Sequence, residues 1–310
     1  MKIVAALVLL LAATLAGRAQ ILPTAATSAR SMSGQFLVLA APPSRFRPEL
    51  PVGTNADWIR LEPTLLAISA ERIKEAVWRE LDFNGSWRQQ VTLVLQVARS
   101  TNDLVTIISE PSPRGWSYRV VMPDELTPER YMRAMVQVVL LELANRTAVQ
   151  HSAEIPAWLA EGIAYGLLAN HRAELVLTPP RLEANGVFYR PVVADVRRIS
   201  PLELAHRTLL DATPLTFEEL SWPAPGQVET PLYRASAQVF TYELLHLRGG
   251  QACLGDFLTA LPGYLNWQLA FLQAFKPHFS RPLDIEKWWS LRAAEFSGRD
   301  LIQTWPYKAS

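Results

Sequence analysis

The chain has 310 residues, 49% of them hydrophobic and 19% charged, with 30 basic side chains against 29 acidic ones. That balance describes a folded chain and excludes the basic surface that a nucleic-acid binder needs. Cys253 is the single cysteine, which excludes an intrachain disulfide and leaves stability to the core.

In chain order the first element is a leader. Lys2 precedes the uncharged run IVAALVLLLAATLA, and Gly17-Arg18-Ala19 puts small residues at the −3 and −1 positions before Gln20. This pattern predicts a signal peptide over 1–19 and a secreted or periplasmic protein. Losing Lys2 and Arg18 leaves 28 basic residues against 29 acidic, a net charge of −1. No later stretch reaches the roughly 18 apolar residues of a membrane span, so none is expected after cleavage. Residues 20–34 are small and polar with no period, which reads as a flexible lead-in.

Phe36–Ala40 is a short apolar strand candidate, followed by a proline-rich loop. Glu62–Leu81 carries Leu65, Ile68, Ile73, Val77 and Leu81 at helical spacing. Val91–Val97 and Leu104–Ser109 are β-rich, and Ser100-Thr101-Asn102-Asp103 between them favours an antiparallel pair. Tyr118–Met122 is a third strand stopped by Pro123. Residues 35–125 therefore read as a sheet, antiparallel or mixed, with one helix laid on it.

Beyond Pro123 the pattern turns helical, through 126–300. Thr127-Pro128-Glu129 is a helix start with a hydroxyl cap, proline in the first turn and an acid at the positive end. This helix, to about Arg146, is apolar nearly all round and belongs in a core. A second begins at Ala157 and runs to about Ala169. Residues 170–230 read mostly as loop, with short helices at Leu202–Thr208 and Phe217–Leu220. Further helices are expected near Leu232–Leu247, Ala252–Leu261, Trp267–Phe275 and Leu283–Phe296. The fold class is α+β. Trp58, Trp87, Trp116 and Trp222 fall near loops and could line a groove.

Two of these segments carry a resemblance. Leu141-Glu142-Leu143-Ala144-Asn145, followed by Ile155-Pro156-Ala157-Trp158-Leu159-Ala160-Glu161-Gly162, is similar to the core of the peptidase MA-like zincins, a gluzincin group. Tyr233, Ser236, Val239 and Phe240, the Gly249-Gly250 break, Ala270-Phe271 and Trp288 are similar to its helical half. The resemblance implies a zincin-like fold. It puts the metal histidines of the family on Leu141 and Asn145, the general base on Glu142 and the third metal ligand on Glu161.

The side chains at those four positions argue against the chemistry. Residues four apart on a helix share a face, so 141 and 145 could present two imidazoles to one ion. Here they present a hydrocarbon and a neutral amide. Catalytic zinc takes three protein ligands and an open position, and Glu161 alone supplies one. Leu141, Glu142, Asn145 and Glu161 thus read as a relic site, with no catalytic residue, no cofactor and no bound metal expected. Buried carboxylates must be paired, so Glu142 would accept from backbone or from Asn145, and Glu161 from an arginine such as Arg146. The leading expectation is an exported pseudo-peptidase that binds a protein or peptide or serves a structural role. One alternative is an active peptidase with an unconventional metal site, which His151 could complete. Another is a secreted helical binding domain unrelated to zincins.

Overall fold

A computed structural model describes residues 27–41, 58–113, 115–179, 181–182, 188–189 and 201–298. The leader over 1–19, with Gln20, lies outside the described residues. The molecule is α+β, with an N-terminal mixed sheet and a mainly helical C-terminal half.

Five strands form the main sheet: β1 (Thr27–Arg30), β2 (Phe36–Ala40), β4 (Val91–Gln96), β5 (Thr106–Ser112) and β6 (Gly115–Pro123), in the order β1-β2-β4-β6-β5. β2 pairs parallel with β4, which pairs parallel with β6, while β1 and β5 close the two edges antiparallel. Alternation explains which face is covered. Val91, Leu93 and Leu95 of β4, and Trp116, Tyr118, Val120 and Met122 of β6, are buried.

Two expectations are corrected here. Residues 20–34 are not wholly a flexible lead-in, because Thr27–Arg30 is an edge strand. Edge pairing uses backbone groups alone, so it leaves no hydrophobic period to read. The expected pairing of Val91–Val97 with Leu104–Ser109 is also wrong: β6 lies between β4 and β5. β6 alternates cleanly between buried and open positions, whereas β5 is largely open. Apolar burial outbids the local turn signal and sends β5 to the rim.

The helix α1 (Pro63–Glu80) connects β2 to β4 and buries Leu66, Ala70, Ile73 and Val77 against the sheet and its neighbours. Proline at its start costs nothing, since that N–H would have no partner in the helix. A two-stranded clip of β3 (Ile59–Arg60) and β7 (Glu125–Leu126) sits at the starts of α1 and of α2 (Pro128–Ala144). The Thr127 hydroxyl accepts from the Arg130 N–H at 3.4 Å and caps α2 as its sequence predicts. Met132, Met135, Val136, Val138, Val139 and Leu140 are fully buried, so α2 runs through the core.

The helix α3 (Ala157–Leu175) is longer than expected and passes through a non-helical φ/ψ at His171. It packs on α2 and on α6 (Pro231–Leu245). The intervening stretch holds the two expected short helices, α4 (Pro201–Asp211) and α5 (Phe217–Ser221), and a ribbon of β8 (Arg181–Leu182) and β9 (Phe188–Tyr189) where the sequence reads as loop. α7 (Gly250–Ala260), α8 (Trp267–Ala274) and α9 (Pro282–Ser297) complete the chain. Among the described residues no helix is long and apolar enough to cross a membrane.

Candidate functional site

The four residues of the relic site fall into two clusters with separate partners. At the C-terminal end of α2, Glu142 is almost fully buried and both its oxygens are engaged. Oε1 accepts from the Arg88 backbone N–H at 3.1 Å, and Oε2 accepts from Arg146 Nη2 at 2.7 Å and Nε at 3.2 Å. Arg146 lies one turn further on and stacks its guanidinium over Phe83. The expectation of a satisfied structural carboxylate holds, with its predicted backbone donor. Arg146, however, serves Glu142 and not Glu161. Both oxygens of the carboxylate are thus committed to hydrogen bonds within an ion pair largely shut from solvent.

Asn145 is buried and equally committed. Its Oδ1 accepts from the Ala153 N–H at 2.6 Å, and its Nδ2 donates to the Ser152 hydroxyl at 2.9 Å. It thereby ties the end of α2 to the loop that leads into α3. Leu141 is buried, and its carbonyl accepts from the Tyr118 hydroxyl at 3.1 Å. Glu142, Asn145, Arg146, Trp116 and Tyr118 line a cavity of only about 50 Å³. This corner is a joint between sheet, α2 and loop.

Glu161 belongs elsewhere. Its Oε1 accepts from Arg234 Nε of α6 at 2.8 Å, and its Oε2 lies 3.6 Å from Arg133 Nη1 of α2. Burial pushes the Glu161 carboxyl above its ordinary value, and the two guanidinium groups pull against that rise. Arg133 precedes Leu141 by two helical turns. The expected meeting of Glu161 with positions 141 and 145 is therefore replaced by a meeting with Arg133. The cause is visible in α3: Gly162, the next residue, lies against α6, and a Cβ there would come within 2.5 Å of the Ala237 carbonyl. This close approach of α3 to α6 brings Glu161 to Arg234.

Next to this ion pair lies the larger cavity, about 240 Å³, between the edge strand and the first turns of α2. Val105 and Ile107 form one wall, and Arg130, Arg133, Ala134 and Gln137 form the other. Arg133 and Gln137 are four apart and share this face of α2. Glu229, on the 3-10 turn before α6, leans over both arginines: its Oε1 is 3.3 Å from Arg133 Nη2 and 3.7 Å from Arg130 Nε. Sequence reading missed this site because none of its residues belongs to a familiar motif. The signal available was Arg130 and Arg133 on one stripe of an otherwise apolar helix.

Zinc does not fit the residues around Glu161. An ion on that carboxylate would stand among guanidinium groups, with no histidine in the same ion-pair group and its second carboxylate, Glu229, already on Arg130 and Arg133. Among the described residues no cluster of three or more His, Cys, Asp or Glu could hold a metal. His151 is exposed on its loop. His246 and His278 contact backbone oxygens of Tyr242 and Arg248, His171 faces Glu174, and His206 meets Phe296 edge to face. Of the loop tryptophans, Trp87 packs on Phe36 and Trp78, Trp58 and Trp116 are buried, and Trp222 is exposed, so they form no shared groove. Comparison of the chain with protein-family models, with curated proteins and with solved structures returns no match.

Proposed function

We propose that this is an exported, zincin-like protein without hydrolytic chemistry, which binds an extended peptide in the cleft between β5 and α2. One observation carries the reading: the glutamate that the resemblance makes a metal ligand is held by two arginines, Arg133 and Arg234. In this reading the family's helix pattern falls two turns earlier on α2 than Leu141–Asn145. Arg133 and Gln137 take the two histidine positions, and Ala134 takes that of the general base. A guanidinium then occupies the side of Glu161 on which an ion would sit, and nothing is left to activate water. The leader over 1–19 supports export. β5 supports a peptide ligand, since among the described residues it is the last strand of its sheet and one edge of its backbone lacks a neighbouring strand.

Metal analysis of the purified protein tests the reading, together with two paired substitutions. The unmodified protein should hold no stoichiometric zinc and cleave no peptide. Arg133→His with Gln137→His should gain zinc binding that Glu161→Ala removes. Leu141→His with Asn145→His should gain none. Stoichiometric zinc in the unmodified protein, lost on Glu161→Ala, would overturn the proposal.

A further inference from the structure

The cleft has a charge arrangement that its walls alone do not require. Arg130 and Arg133 both line it, and their side chains are mostly buried. Arg133 divides its guanidinium between Glu161 and Glu229. Arg130 donates Nη1 to the Thr101 carbonyl at 3.1 Å and Nη2 to the Asp103 carbonyl, both neutral acceptors. Its Nε is shielded from solvent and finds no hydrogen-bond acceptor among the described residues. The nearest carboxylate oxygen is that of Glu229, at 3.7 Å, beyond a hydrogen bond. Burial and the charge of Arg133 both work against the protonated Arg130, and Glu229 supports it.

Glu229 is unlike the groups it covers. Its side chain is 52% exposed, against 12% for Arg130 and 23% for Arg133. It stands on a three-residue 3-10 turn, Gln227–Glu229, with no buried residue of its own. The Glu229 carboxylate itself stands half in water, where its contacts with the arginines are screened, so it can leave at modest cost. Two further acids act on this group: Asp103 also supports the charge of Arg130, and Glu129, in the first turn of α2, acts on Glu161. With Glu229 withdrawn, two arginines and the positive end of α2 face the cavity.

We infer that this cleft recognises a carboxylate of its peptide ligand on Arg130 and Arg133, and that Glu229 fills the same place in the free protein. The ligand is thus an extended peptide carrying either an acidic side chain or a free C-terminus at that point. Its backbone would run along β5 beside Val105 and Ile107, and its carboxylate would replace that of Glu229 on the two arginines. This inference rests on the binding-cleft reading above. The occupant is an anion because the donors are guanidinium groups with hydrogen-bonding capacity left over.

Fluorescence polarisation with three labelled peptides separates the outcomes. Each is seven residues of alternating valine and serine: one with a central aspartate and an amidated end, one with asparagine there instead, and the asparagine peptide with a free C-terminus. The full protein and its Glu229→Gln variant are compared, with Arg130→Lys as a second variant in case the first disturbs the turn. The aspartate or the free-acid peptide should bind at least about tenfold more tightly than the neutral one, the value of one charge-assisted hydrogen bond. Which of the two prevails distinguishes side chain from C-terminus. Glu229→Gln should tighten only the carboxylate-bearing peptide, and Arg130→Lys should weaken only that one. Equal binding of all three peptides would overturn the carboxylate inference and leave the peptide cleft standing. Binding of none would overturn both.

Discussion

The pair of Glu142 and Arg146 shows what a buried carboxylate demands of its surroundings. Glu142 is buried beside Trp116 and Tyr118, and its charge is tolerated because Arg146 and the Arg88 N–H meet both oxygens. Removing only the cation leaves a buried, partly compensated anion. Arg146→Ala should therefore destabilise the protein by about 3–5 kcal/mol, measured by urea denaturation. Glu142→Gln with Arg146→Met should restore most of that loss, because no charge is then left without a partner. If the single substitution costs under about 1 kcal/mol, the pair is not the joint described here. Glu161 differs in its surroundings and not in its chemistry. Its partners come from two other helices, so its setting depends on how α2, α3 and α6 pack.

At the level of elements, the close packing of α3 on α6 runs through Gly162. A methyl group there would collide with the Ala237 backbone and the Thr241 hydroxyl, neither of which can swing away freely. Gly162→Ala should cost about 1–3 kcal/mol by overpacking. It should also perturb the ion pair of Glu161 with Arg234, and with it the adjoining cleft. Calorimetry beside the peptide-binding assay would separate a stability loss from a loss of binding. The edge strand β1 offers a pH-dependent test. The turn after it is held to α1 by Glu71, whose Oε1 accepts from the Ser33 N–H at 2.7 Å and from the Ser33 hydroxyl. Burial pushes the Glu71 carboxyl up, but the Ser33 hydrogen bonds outweigh it and hold it below the ordinary 4.5. A depressed folded value means that Glu71 adds stability above the unfolded value and loses it as pH falls through the folded one. Glu71→Gln should therefore lower the urea midpoint slightly above pH 4.5, and the gap from the parent should close on acidification. A gap that widens in acid would contradict this contact.

At the scale of the molecule, one buried cluster runs from Val91 and Val120 in the sheet through Met135 in α2 to Phe271 and Trp289 in the last helices. Trp158 is fully buried within its helical part, against Phe240 at 4.9 Å, Phe271 at 5.9 Å and Trp267 at 6.0 Å between ring centroids. A continuous core predicts that sheet and helices unfold together. Trp158→Ala should cost about 3–5 kcal/mol through the cavity it leaves. Far-ultraviolet circular dichroism and tryptophan fluorescence should report the same lowered midpoint. Two well-separated transitions would show that the sheet and the helical half are independent units.

The amino-acid order by itself determined most elements, because their signals are local. Phe36–Ala40 is a strand as read, Thr127-Pro128-Glu129 starts its helix as read, and the helices at Pro231–Leu245 and Trp267–Ala274 lie within a few residues of expectation. These signals are side-chain periods, caps and prolines, and none needs a distant partner. Only the tertiary structure decided the rest. The place of β6 between β4 and β5 depends on which strand has more apolar surface to bury. The edge strand at Thr27–Arg30 depends on a neighbour offering its backbone. The partners of the two glutamates were legible only in part. Arg146 is one helical turn from Glu142, so that pairing lay open to the four-residue spacing rule, although the arginine was expected on Glu161. Arg234 is 73 residues from Glu161 and reaches it only because Gly162 lets two helices touch. A motif search follows residue order along one helix, whereas a site is set by the helices that face it.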